Sequence, residues 1–162
     1  MAYDSRRVKP GDAFVAISGF ATDGNRYIPK AVERGAGLIV TERVPDTPAP
    51  YVQVASARLA LAQMGANWFG RPAERMTMVG VTGTNGKTSV TLLLKSVLEQ
   101  VTGSAVGLIG TIQNMIGPEI LPTERTTPES FDLQELLARM ASAGCRYVVM
   151  EVSSHALALV PG

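Results

Sequence analysis

The sequence predicts an α/β protein in two parts: a small α/β unit over residues 1–70, then, after a short linker at 71–75, the first part of a parallel-sheet unit built on a phosphate-binding loop over 76–162. Three observations predict it. Apolar runs of strand length alternate with segments of helical periodicity along most of the chain. A glycine-rich string, Val79-Gly80-Val81-Thr82-Gly83-Thr84-Asn85-Gly86-Lys87-Thr88-Ser89, stands between such a run and such a segment. The stretch 70–75 is polar, carries Gly70 and Pro72, and precedes a fresh strand, loop and helix.

In the first unit, Pro10-Gly11-Asp12 is a turn, and the run 13–17 reads as a buried strand that stops at Ser18-Gly19. Thr22-Asp23-Gly24-Asn25 is a second turn. Tyr27, Ala31 and Val32 suggest a short helix over 26–34, closed at Gly35, and Leu38-Ile39-Val40 makes the next strand. Pro45, Pro48 and Pro50 forbid regular structure before the strand at 51–54. Ser56 then caps a helix with Leu59, Ala62, Ala66 and Phe69 on one face and Leu61, Met64 and Trp68 beside it. Gly70-Arg71-Pro72 ends it.

The second unit opens with the apolar run 76–81. The helix that leaves the glycine-rich string carries Val90, Leu93, Leu94, Val97, Leu98 and Val101, a stripe expected in the core. A strand at 105–109 follows, and the glycines between 110 and 121 are spaced as in a loose hairpin. Thr127 is placed as an N-cap with Pro128 at the first helical position, and Leu133, Leu136, Leu137 and Met140 give that helix its apolar face. Gly144 ends it, and a last strand over 147–152 delivers Glu151 and the polar tip Ser153-Ser154-His155.

Composition excludes several classes of function. The 162 residues are 46% hydrophobic with a formal net charge of +1, enough apolar material for a core and no block of like charge to mark a nucleic-acid footprint. The one cysteine, Cys145, lies in an apolar run with no disulfide partner, which fits a reducing compartment. Residues 1–7 lack an apolar signal core and no run approaches membrane-spanning length, so a cytoplasmic location without membrane insertion is expected.

The glycine-rich string carries the chemistry. Strand, turn and helix in this order bring backbone N–H groups and the positive end of a helix to one point, where they hold phosphate. Gly83, Thr84, Asn85, Gly86, Lys87, Thr88 and Ser89 form the expected nucleotide site: Gly83 and Gly86 permit positive φ, Lys87 aims a charge at the terminal phosphates, and the Thr88 hydroxyl takes a position on magnesium. The usual phosphate-loop spacing puts its first glycine where Val81 stands, with Gly80 one step early. In a parallel α/β sheet ligands collect at the carboxyl ends of the strands, so the loops after Val81, Ile109 and Val152 should converge. Glu151 then supplies a second magnesium-directing carboxylate, the charge arrangement phosphoryl transfer needs. His155, the only histidine, follows two serines without a Gly-x-Ser-x-Gly elbow, and reads as structural or substrate-contacting rather than hydrolytic.

Gly80 to Thr88, Thr126-Thr127-Pro128 and Met150-Glu151-Val152-Ser153-Ser154-His155-Ala156-Leu157 together resemble the Mur ligases of peptidoglycan synthesis, and more narrowly their MurE type, which adds the third residue of the stem peptide to UDP-N-acetylmuramoyl-L-alanyl-D-glutamate. The strings Asp4-Ser5-Arg6, Pro10-Gly11-Asp12, Phe14-Val15-Ala16 and Asp23-Gly24 are similar to that family's uridine-nucleotide domain. The resemblance implies that Tyr3, Ser5, Phe20, Ala21 and Thr22 hold the uridine diphosphate part of the substrate, and that Thr126, Thr127 and Ser153 contact the muramoyl peptide. It implies ATP and Mg2+ as cofactors, with Lys87 and Glu151 catalytic and Thr88 and Glu151 on the metal. It implies UDP-N-acetylmuramoyl-dipeptide and an amino acid, diaminopimelate or lysine, as substrates, joined through an acyl phosphate. The family runs on through a full ATPase domain and a third domain, so the chain is expected to be a front fragment inactive alone. Two other readings stay open from the residues themselves: a free-standing phosphate-loop NTPase or kinase, and a non-catalytic nucleotide-sugar binding module.

Overall fold

A computed structural model of the chain describes residues 1–19, 23–122 and 129–152. It divides into two compact units, Met1–Gly65 and Ala66–Gly162. The strings expected at Phe20, Ala21 and Thr22, at Thr126 and Thr127, and at Ser153 and His155 lie outside the described residues.

The first unit holds strands β1 (Ala13–Val15), β2 (Leu38–Thr41) and β3 (Tyr51–Gln53), paired in parallel in the order β1-β2-β3. Helix α1 (Ile28–Glu33) is the crossover between the first two, and the prolines at 45, 48 and 50 span the next gap without regular structure, as expected. Residues on alternate positions of β1 and β2 face opposite ways. Phe14, Ala16 and Ile39 join Ile28 and Ala31 of α1 in one apolar cluster. Helix α2 (Ala57–Trp68) follows β3. Ser56 caps it as expected, its Oγ accepting from the Leu59 N–H at 3.2 Å, while Glu42 accepts from the Ala57 N–H at 2.9 Å. The buried face of α2 is Ala57, Leu61 and Gly65, one residue every turn, rather than the expected Leu59, Ala62 and Ala66 stripe; Leu59 and Trp68 are exposed. The helix is apolar on most sides, so periodicity alone does not choose the flank.

Residues 72–75, in the stretch expected as a linker, form a 3₁₀ turn (Pro72–Arg75) in which Pro72 is buried and which packs against a later helix of the second unit. That unit holds β4 (Thr77–Val81), helix α3 (Lys87–Thr102), β5 (Val106–Ile109), the hairpin β6 (Asn114–Ile116) and β7 (Glu119–Leu121), helix α4 (Ser130–Ser142) and β8 (Tyr147–Glu151). The strand order is β4-β8-β5-β6-β7: the first three are parallel and the hairpin adds two antiparallel strands at one edge. Both faces of β5 and β8 are covered, which is why these strands read as unbroken apolar runs. Ile109 and Val148 cluster with Leu136, Leu137 and Met140 of α4 on one face, and Val106, Leu108 and Val149 meet Leu94 and Leu98 of α3 on the other. Gly107 lets α4 come close, because a Cβ there would lie 2.6 Å from the Met140 sulfur.

Two expectations need correction. Helix α4 begins at Ser130 with Glu129 as its N-cap, two residues after the expected cap at Thr127. On α3 the buried residues are Thr91 and Lys95, whereas Val90, Leu93, Val97 and Val101 of the expected core stripe are exposed. Polar residues can occupy the buried flank because each is satisfied within reach of the helix: Thr91 Oγ1 donates to the Thr88 carbonyl at 2.9 Å, and the Lys95 ammonium donates to Glu99 Oε1 at 2.7 Å. Cys145 is buried and free, and burial, with the Glu99 charge behind it, pushes its thiol up, in keeping with a structural role.

Candidate functional site

The loop at 82–86 leaves the end of β4 and enters α3 at Lys87. Gly83 has φ 149° and Gly86, the N-cap of α3, has φ 77°, both in the region that favours glycine. With no side chains at these two positions the loop folds over the amino end of a 16-residue helix, an arrangement suited to anions. Lys87 Nζ curls back and donates to the Gly83 carbonyl at 2.7 Å, so its charge lies across the loop. Thr88 follows in the first turn of α3, partly buried. Gly80, one step out of the usual spacing, has a packing reason: it lies within β4, and a Cβ there would come 3.1 Å from a methyl of Val152.

The ends of β4, β8 and β5 lie side by side as expected, while the loop after Val152 lies outside the described residues. In the parallel register Val81 is the partner of Glu151, and the chain stays paired one residue further, where the Val152 N–H donates to the Val81 carbonyl at 2.9 Å. On the other side of β8, Met150 is the partner of Ile109, the last residue of β5. Glu151 therefore stands at the centre of three strand ends, one strand over from the phosphate loop. Its Oε2 accepts from Thr111 Oγ1 at 3.0 Å; its Oε1 is buried and has no hydrogen-bond partner among the described residues. Gly110 lies beneath the carboxylate, where a Cβ would be 3.1 Å from Oε1. Sequence reading took Gly110 only as the start of a loose hairpin and gave Thr111 no role; the register that aligns the ends of β5 and β8 shows their place.

A carboxylate oxygen buried without a donor suits a cation. Among the described residues no three His, Cys, Asp or Glu side chains form a metal cluster, but magnesium held against a nucleotide needs only one or two protein oxygens, the rest coming from phosphate and water. The Glu151 carboxylate and the Thr88 hydroxyl fit that donor set. The supply of phosphate-binding groups and a cation-seeking carboxylate from neighbouring strand ends can orient a triphosphate and offset its charge.

In the first unit, Ser5 is buried at the start of a 3₁₀ turn (Ser5–Arg7), with Tyr3 partly buried two residues before it. Asp4 caps the turn through the Arg6 N–H at 2.9 Å and clamps the Arg6 guanidinium, at 2.7 Å from Nη2. A second polar cluster joins Ser18, Asp23, Asn25 and Thr41. Thr41, fully buried at the end of β2, donates to Asn25 Oδ1 at 2.7 Å, and Asn25 Nδ2 donates to Asp23 at 2.7 Å and to Ser18 at 3.3 Å. The two hydrogen bonds from Asn25 hold the Asp23 carboxyl below its usual range. Gly24 belongs to this turn for steric reasons, since a Cβ would sit 2.5 Å from the Ile17 carbonyl oxygen. Asn25 and Thr41 gave no sequence signal beyond turn composition.

Comparison with known proteins gives this geometry a lineage. Residues 81–161 match the Mur ligase middle domain, and residues 1–69 match the domain described as Mur ligase family, catalytic domain. The chain is 52% identical over 161 residues to the UDP-N-acetylmuramoyl-L-alanyl-D-glutamate–2,6-diaminopimelate ligase of Caldanaerobacter subterraneus subsp. tengcongensis, covering 98% of this chain and 33% of the relative. It is 47% identical to the Clostridium botulinum ligase of the same name, covering 97% of this chain and again 33% of the relative. The chain thus spans about a third of the length of the curated relatives it matches. Among solved structures, a UDP-N-acetylmuramoyl-L-alanyl-D-glutamate–2,6-diaminopimelate ligase superposes with a TM-score of 0.78 at 25% identity, over 96% of this chain and 32% of that one. MurF ligase from Thermotoga maritima in complex with ADP superposes with a TM-score of 0.61 at 25% identity, over 94% of this chain and 31% of that one. By sequence and by fold, the chain belongs to the Mur ligase family.

Proposed function

We propose that this chain is the substrate-binding and phosphate-loop portion of an ATP-dependent ligase that joins 2,6-diaminopimelate to UDP-N-acetylmuramoyl-L-alanyl-D-glutamate in the cytoplasm. The amino acid is the one named for the relatives. The observation that carries the reading is the pairing of Val81 with Glu151, which sets the phosphate loop and an unpartnered carboxylate oxygen at adjacent strand ends in a chain of this family.

Residues 1–70 are the uridine-nucleotide domain, 71–75 the connection, and 76–162 the front of the ATP domain. Tyr3 and Ser5, with Phe20, Ala21 and Thr22, bind the uridine diphosphate; Thr126, Thr127 and Ser153 contact the muramoyl peptide. The backbone N–H groups of 83–88 cradle the ATP phosphates, and Ser89 lies in the same first turn of α3. Lys87 offsets the negative charge that builds up when the substrate carboxylate approaches the γ-phosphate to form the acyl phosphate. Thr88 and Glu151 hold Mg2+, which supplies Lewis-acid polarisation of the phosphoryl oxygens. No described helix is long and apolar enough to cross a membrane.

Separate calorimetric titrations of Mg·ATP and of UDP-N-acetylmuramoyl-L-alanyl-D-glutamate into the chain test the proposal. One site for each ligand is expected, with Lys87→Ala weakening ATP about ten- to a hundredfold and leaving the uridine ligand unchanged. ATP binding alone would mean a phosphate-loop NTPase, and uridine-ligand binding alone a nucleotide-sugar module.

A further inference from the structure

The loop after β5 has no role in the reading above, yet it touches the residue that reading depends on. Thr111 is exposed, its hydroxyl directed to Glu151 Oε2 at 3.0 Å across 40 residues of sequence. Glu151 is only partly buried, and a glutamate stem has several staggered rotamers in principle, each aiming the carboxylate differently. The Thr111 hydroxyl selects one of them. Gly110 completes the seat: the Glu151 Oε1 atom occupies space a side chain would contest, 3.1 Å from the position of a Cβ that is not there. The loop is itself pinned, because the Gly110 N–H donates to Asn114 Oδ1 at 3.3 Å, tying it to the first residue of the hairpin. One carboxylate oxygen is thereby held, and the other is buried with no hydrogen-bond partner among the described residues.

We propose that Thr111 is a positioning residue for the nucleotide's divalent cation, fixing the orientation of the Glu151 carboxylate through Oε2, with Gly110 leaving the room that Oε1 occupies. Resting on the nucleotide reading above, the inference deepens it by adding a residue from a third strand end. The chemistry is that of an outer-shell hydrogen bond which orients a metal ligand and does not touch the metal. Thr111 acts through Glu151 and not on the phosphates, so its loss is felt in the metal-dependent part of nucleotide binding alone.

The test is calorimetric affinity for ATP with Mg2+ and for ATP in excess EDTA, measured on the chain and on Thr111→Val, Thr111→Ser and Glu151→Gln. Thr111→Val removes the hydroxyl at an exposed site with the shape kept, so folding is preserved, and a thermal midpoint checks this. Expected is a loss of about three- to tenfold in Mg·ATP affinity for Thr111→Val, unchanged affinity in EDTA, and recovery in Thr111→Ser. A general loosening of the loop would lower both affinities together, and that result overturns the inference, as does a Thr111→Val chain that binds Mg·ATP like the parent. Glu151→Gln separates the two levels. If it removes the magnesium effect and Thr111→Val does not, only the positioning role falls; if it too leaves the magnesium effect intact, the metal reading of Glu151 falls and the role of Thr111 with it.

Discussion

Helices α3 and α4 cover opposite faces of one sheet, and they do so by different rules. The inward face of α4 is Leu136, Leu137 and Met140 with Leu133 packed beside them, the stripe that helical periodicity picks out. The inward face of α3 mixes Leu94 and Leu98 with a buried threonine and a buried lysine, while four apolar residues at helical spacing point away from the sheet. Apolar spacing therefore locates a helix in this chain, but it names the buried flank only where the opposite flank is polar. Where both flanks carry apolar residues, the outcome depends on whether polar groups on the inner one can find partners.

The strongest way to break this contrast is to empty the α4 side. Met140 is fully buried against Gly107, whose missing side chain exists to admit it. Met140→Ala leaves a cavity between helix and strand that the rigid β5 backbone cannot close, and the expected loss is about 2–5 kcal/mol. Hydrogen exchange at the Val148 and Val149 amides measures it, because these strand amides open only when the second unit unfolds. A loss under 1 kcal/mol would mean that α4 covers the sheet no more tightly than α3.

The same distinction explains what was legible in the sequence. The strands, helix periods and hairpin were readable because each is set by local apolar spacing and turn residues, and the phosphate loop was readable because Gly83, Gly86, Lys87 and Thr88 are chosen by backbone geometry and charge at fixed offsets. Glu151 could be placed at a strand end because the apolar run that precedes it stops there. Thr111 could not: a threonine after a strand is ordinary, and its meaning arises from a register that pairs residues 40 apart. The start of α4 was placed two residues early because Thr-Pro is a good local start signal, and helix ends are the least fixed part of a periodic segment.

A smaller effect tests how the buried polar flank of α3 is tolerated. The Lys95 side chain is 7% exposed and its partner Glu99 31% exposed, and Glu99 Oε1 also accepts from the Val106 N–H at 3.3 Å, which links the helix to β5. Removing the two partners should therefore not be equivalent. Glu99→Ala strands the ammonium and the strand N–H together, for an expected loss of about 1–3 kcal/mol after allowing for the solvent that already reaches Glu99. Lys95→Met removes the buried charge, keeps the volume and leaves a carboxylate that water can reach, so a change within about 1 kcal/mol is expected. Equal losses in urea titrations of the two variants would show that the pair acts as one charge couple and that its link to β5 contributes nothing.

The smallest effect is expected on the outer flank of α3. Leu93 is 66% exposed, more so than its neighbours Val90 and Val97 on the same flank. If that flank is open in solution, Leu93→Gln gives up almost no burial, keeps helix propensity nearly unchanged, and shifts stability by no more than about 0.5 kcal/mol. The comparison between the helices then stands as drawn: α4 is held by its apolar stripe, α3 by Leu94, Leu98 and two satisfied polar groups. A loss of 2 kcal/mol or more would instead show that the outer flank is covered in solution. Both helices would then obey one rule, and the periodicity of α3 would have named a real interface of that helix, although not the one with its own sheet. The size of the Leu93→Gln effect, read from the same strand amides as Met140→Ala, decides whether α3 departs from the apolar rule or follows it on a second surface.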